Sequence, residues 1–112
     1  RKVMEASEKL MKSVDEFVIK VNAEINVHYK INFPSLTPEL IKIKQGQRYI
    51  KLISDRSVWG FISKYDGEFK GVPIKVGDLM KAASWSAPAK HSRGNVINGT
   101  ASYTTYGPSY LI

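Results

Sequence analysis

The chain has 112 residues, 43% of them hydrophobic, and its 17 Lys and Arg against 10 Asp and Glu give a net charge of +7. That length suits one hydrophobic core, and no run approaches the ~18 consecutive apolar residues of a membrane span. With no cysteine, disulfide scaffolds, thiolate nucleophiles and cysteine-ligated zinc are all excluded.

Met4, Met11, Val18 and Ile25 recur every seven residues, with Ser7, Val14, Val21 and His28 interleaved and Leu10 and Phe17 widening the stripe. Glu5, Lys9, Lys12, Asp15, Glu16, Lys20 and Glu24 fill the opposite face, so residues 3 to about 31 read as one amphipathic helix ended by Pro34 and Pro38. At 1.5 Å per residue it runs roughly 40 Å, more than one small sheet covers; part of the stripe meets another subunit, or the first turns fray. The opening Arg1-Lys2-Val3-Met4 leads into this charged, periodic segment and does not read as a signal peptide.

After Pro38 the period becomes two. Leu40 to Lys44 alternates, Gln45-Gly46 turns, and Arg48 to Ile53 follows as a second strand. Asp55-Arg56 connects to a third, Ser57 to Ser63, and Asp66-Gly67 is a turn signal behind it. Phe69 to Val76, broken by Gly71 and Pro73, reads as a loop or irregular edge before a short strand at Leu79-Met80-Lys81. Residues 82–97 read as a basic loop or short helix, which Pro88 keeps from being long. The tail, 98–112, is rich in Gly, Ser, Thr and Tyr and reads as a flexible arm or a segment laid on a neighbour. The predicted fold is an α+β domain spanning 1–112: a long N-terminal amphipathic helix (1–33) packed on a three- or four-stranded antiparallel sheet (38–81).

Catalysis finds little support. His28 lies on the apolar side of the helix, as a core or interface histidine would, and His91 has no nearby carboxylate to orient it. Acidic residues after position 34 stand singly, without metal-ligand spacing, and no glycine-rich phosphate loop occurs. The reading is a non-enzyme without metal or cofactor.

Binding is better supported. Residues 1–33 carry six cations against five acids, whereas residues 34–112 carry eleven against five; such an excess suits a polyanion, through counterion release, or a surface that keeps the protein soluble. With Ile50 and Leu52 towards the helix, alternation sends Tyr49, Lys51 and Ile53 to the other face. The next strand sends Trp59 and Phe61 there and Val58 and Ile62 inward. Aromatics among Lys and Arg on an open sheet bind single strands by stacking and charge; alternatively Trp59 and Phe61 belong to a core or dimer interface. In the stretch 81–95, Lys81, Lys90, His91 and Arg93 are candidate phosphate contacts, and Trp85 stacks on a base or, more commonly for such a tryptophan, anchors the loop in the core. The candidate nucleic-acid-binding residues are therefore Arg48, Tyr49, Lys51, Trp59, Phe61, Lys81, Lys90, His91 and Arg93.

The runs Arg48 to Ile53, Ser57 to Ile62 and Gly77 to Asn95, with Lys81-Ala-Ala-Ser-Trp85, Ala87-Pro-Ala-Lys90 and Arg93-Gly-Asn95, resemble small, mostly uncharacterised proteins of tailed bacteriophages. The similarity runs from about residue 46 to 95, with Phe69 to Val76 standing as an insertion. It implies a viral origin and a host-cytoplasm setting, but no activity. The expected function is a viral single-stranded nucleic-acid-binding protein, single-stranded DNA favoured, acting as a homo-oligomer in replication or transcription. The alternative is a protein-interaction module, a host-enzyme inhibitor or minor virion protein. No membrane association is expected.

Overall fold

In the computed structural model, residues 7–109 are described. Helix α1 spans Glu8–Asn32. Its N-cap is Ser7, whose Oγ accepts the Leu10 N–H at 3.1 Å, a contact worth about 1 kcal/mol against alanine. At the other end the Phe33 N–H donates to the Tyr29 carbonyl at 2.7 Å, and Pro34 cannot extend the ladder. The first four residues expected in the helix, Met4 among them, lie outside the described residues.

Among the described residues eight strands follow: β1 (Ile41–Gln45), β2 (Tyr49–Ser54), β3 (Ser57–Ser63), β4 (Gly67–Phe69), β5 (Val72–Ile74), β6 (Leu79–Met80), β7 (Tyr103–Thr104) and β8 (Gly107–Pro108). The main sheet is antiparallel in the order β1-β2-β3-β6. Helix α1 lies across one face and buries Leu10, Val14, Phe17, Val18, Val21 and Ile25 against Ile41, Ile50, Leu52, Ile62 and Leu79. Asn22 ties the helix to the edge strand, its side-chain oxygen accepting the Ile41 N–H at 2.7 Å and its amide donating to the Ile41 carbonyl at 3.2 Å. The expected helix on an antiparallel sheet is thus the fold found.

Two local expectations are corrected and a third is narrowed. Residues 69–76 are no irregular edge: β4 and β5 pair as a tight hairpin. Lys70 and Gly71 both adopt positive φ, 51° and 80°, which matches the right-handed twist of a two-residue turn. Of the two readings of residues 82–97, the loop is the one found, an ordered segment with isolated bridges Ala82 to Pro88 and Asp78 to Asn95. The tail up to Ser109 is no free arm. Strands β7 and β8 form a hairpin packed on the chain's own helix, where Tyr103 sits edge-on to Phe17 at 5.1 Å, its hydroxyl bonded to the Glu24 carboxylate. His28 Nε2 and the Tyr106 hydroxyl meet at 3.0 Å, so this histidine serves the tail contact.

The face of the sheet away from α1 is half covered. The β4–β5 hairpin lays Ile74 and Phe69 over Phe61 and Met80, forming a second small core with Tyr49 and Val58 at its margin. The β1–β2 half of the face keeps Lys42, Lys44 and Lys51 uncovered by that hairpin.

Candidate nucleic-acid interface

Cross-strand register assembles the site. Lys44 on β1 pairs with Lys51 on β2, Lys51 pairs with Phe61 on β3, and Phe61 pairs with Met80 on β6, so one row across the outer face changes from cationic to apolar. Two lysines directly opposite each other are unfavourable in an antiparallel pair, and among the described residues no carboxylate pairs with Lys44, Arg48 or Lys51. These strands instead form one wall of a groove of about 370 Å³ lined by Lys44, Gln47, Arg48, Tyr49, Lys51, Phe61 and Ser86. The turn 46–48 forms its rim, held by the buried Lys64, whose ammonium donates to the Gly46 carbonyl at 2.7 Å and whose backbone N–H donates to the Arg48 carbonyl. Burial lowers the Lys64 pKa.

Aromatic groups complete the groove. Tyr49 meets Phe61 and Phe69 edge-on at 6.1 and 6.0 Å, and its hydroxyl bonds the Tyr65 hydroxyl at 3.2 Å. Burial first, then the bond and charge of Tyr65, push the Tyr49 pKa far above the ordinary phenol value, with Arg48 pulling the other way. Trp85, carried by the 83–87 loop, leaves 50% of its surface exposed, and the Lys51 ammonium lies 4.4 Å from its ring centre. A second shallow hollow of about 270 Å³, lined by Ser57, Val58, Ala82, Ala83, Ser84 and Trp85, adjoins it.

The structure brings four of the expected binding residues to this groove: Arg48, Tyr49, Lys51 and Phe61. Phe61 is only 2% exposed, so it is floor and not a displayed stacking platform. Trp59 is a correction. It is 5% exposed and lies on the helix side, 6.0 Å from Phe17, while Val58, expected inward, packs with the outer-face cluster. The cause is a register shift in the β2–β3 pairing, where Leu52 faces Gly60 but Ile53 faces Val58; the extra residue turns the face at Trp59. Gly60 is needed there, since a Cβ would come 2.9 Å from Pro108. Trp85, expected to be the anchor, is the exposed ring, and the two tryptophans exchange roles.

The remaining candidates divide. Lys81 Nζ donates to the Pro108 carbonyl at 2.7 Å. The Arg93 guanidinium donates to the carbonyls of Ser109, Lys90 and His91 at 3.1, 2.9 and 2.6 Å, and burial lowers its pKa. Both thereby hold the tail against the loop. Lys90 and His91 are exposed on the loop surface and do not line the groove. Lys44 and Gln47 were missed. Four cations, Lys42, Lys44, Arg48 and Lys51, stand between Glu39 and Asp55 without an intervening acid, and that run was the available signal.

The Arg-Gly-Asn signature also has a structural account. Gly94 has φ +97°, and a Cβ there would sit 2.0 Å from the Thr100 carbonyl oxygen. Asn95, buried, donates to the Val76 carbonyl at 2.8 Å and to the Asp78 carboxylate at 3.0 Å, and accepts the Ile97 N–H. Among the described residues no three His, Cys, Asp or Glu side chains converge to hold a metal, and no helix is long and apolar enough to cross a membrane.

These features define a small α+β domain with a basic, aromatic groove on the half-open face of its sheet. The chain belongs to a protein family of unknown function (DUF7717), which matches it over residues 1–106. No curated protein and no solved structure matches it.

Proposed function

We propose that the chain binds single-stranded nucleic acid in the groove between the 46–48 turn and the 83–87 loop. One observation carries this reading: Lys44 and Lys51 face each other with no carboxylate partner among the described residues, and Lys51 lies beside the half-exposed Trp85. Phosphates relieve the repulsion between the lysines and release counterions, and a base stacks on the indole, since every base presents a π-face. A duplex hides its base faces, so stacking on Trp85 favours single strands. The bacteriophage resemblance suggests the setting, replication or transcription of a viral genome in the host cytoplasm.

Competition between a labelled single strand and unlabelled duplex of the same sequence tests the reading. The single strand should bind at least about ten-fold more tightly, the weight of one stacked base. Equal affinity would mean that charge alone attracts nucleic acid. No affinity for either would direct the search to an acidic protein partner for the same groove.

A further inference from the structure

The outward side of α1 carries a pattern that neither the core nor the groove uses. Ile19 and Val27 are 69% and 58% exposed, and Glu16, Ala23 and Lys30 are exposed as well. At 100° per residue these five positions fall on one stripe, opposite Leu10, Val14, Val21 and Ile25, which face the sheet. Their spacing, Glu16-x2-Ile19-x3-Ala23-x3-Val27-x2-Lys30, is symmetric about Ala23 in both interval and residue size. The ends carry opposite charges, and among the described residues neither Glu16 nor Lys30 has an ion-pair partner.

We infer that this stripe is a self-complementary interface, on which a second copy of the chain packs its own α1 antiparallel about a two-fold axis at Ala23. A two-fold contact places residue i opposite j and j opposite i. Here Ile19 of one copy meets Val27 of the other, and Glu16 of each meets Lys30 of the other. The small Ala23 pair at the centre lets the helices approach. Intervals of three, four, four and three residues, about 3.5 on average, keep the stripe nearly parallel to the helix axis, as the shallow crossing of about +20° requires. A parallel pairing would set Glu16 against Glu16 and Lys30 against Lys30, and the sequence disfavours it. Because α1 covers the sheet face away from the groove, pairing leaves both grooves open, and the inference does not rest on what the groove binds.

Five residues a side are far fewer than the roughly 20–30 of a standard interface, so a weak, concentration-dependent dimer is expected. Sedimentation equilibrium of the full chain up to about 1 mM should show it. Glu16→Lys and Lys30→Glu should each weaken association about ten-fold by placing like charges opposite, and the double variant should recover the wild-type constant. The chain has no cysteine, so Ala23→Cys provides an independent readout: mild oxidation should link two copies, whereas Lys42→Cys on the sheet should remain single. A monomer mass throughout the range would overturn the interface. A double variant no better than the single ones, or Ala23→Cys that fails to cross-link, would overturn the antiparallel two-fold.

Discussion

The two tryptophans of this chain show how one residue's surroundings set its role. Trp59 is enclosed by Phe17 and Tyr103 and its indole N–H donates to the Thr105 carbonyl at 3.2 Å. Truncation to alanine should cost about 3–5 kcal/mol, read as a shift of the denaturation midpoint. Trp85→Ala removes a half-exposed ring and one cation–π contact, so stability should fall by less than about 1 kcal/mol, while single-strand affinity drops by about 1–3 kcal/mol. A folded but non-binding Trp59→Ala would reverse these assignments. Tyr103 makes a pH prediction. Burial first, then its bond to Glu24 and that carboxylate's charge, push its pKa from the ordinary 10.0 up to about 12. The folded state therefore favours the neutral phenol: this stabilisation is complete below about pH 10 and disappears as pH rises towards about 12. Tyr103→Phe should flatten the alkaline arm of the stability profile. Tyr49, raised by burial in the same direction, should leave a residual slope. An unchanged arm in the variant would show that Tyr103 is not the group responsible.

Among the elements, the loop that follows β6 gives the sharpest test of packing. Gly94→Ala must accommodate both a left-handed backbone and a collision with the Thr100 carbonyl, and about 3 kcal/mol or more of stability should be lost. Thermal melting checks this, and a loss within about 0.5 kcal/mol would show that the 94–100 segment yields. Elements with a strong period were legible in the sequence. The stripe through Leu10, Val14, Val21 and Ile25 and the alternation of Ile50 and Leu52 fixed the helix and central strands, because burial acts on one face of each. The β4–β5 hairpin was not, since its turn uses Lys70 at positive φ, a conformation that Asn or Asp would have announced. Nor was the face of Trp59, because period two holds only until a bulge, and the Gly60 that permits this one looks like any strand glycine. The tail contacts were illegible for a different reason. They join Tyr103 to Glu24 and Tyr106 to His28 across 79 and 78 positions, and no local pattern encodes them.

For the whole molecule, what matters is how two layers divide the sheet. Helix α1 and the tail hairpin close one face, and the β4–β5 hairpin closes the β3–β6 half of the other. What remains open is the β1–β2 half, where Lys44 and Lys51 oppose each other, Arg48 lines the groove and Trp85 stands beside Lys51. Arg48, Tyr49, Lys51 and Phe61 were readable as a cluster because strand alternation and register place them. Lys81 and Arg93 were not separable from them by charge alone, since only the fold shows that they hold the tail carbonyls. The claim that this groove binds single strands is tested most directly by the salt dependence of oligonucleotide binding to wild type and to the Lys44→Ala/Lys51→Ala variant. The variant should stay folded, bind more weakly at low salt, and show a slope of log K against log salt shallower by about 1.4, two phosphates at roughly 0.7 each. An unchanged slope and affinity in the folded variant would place the phosphates elsewhere and contradict the groove as the binding site.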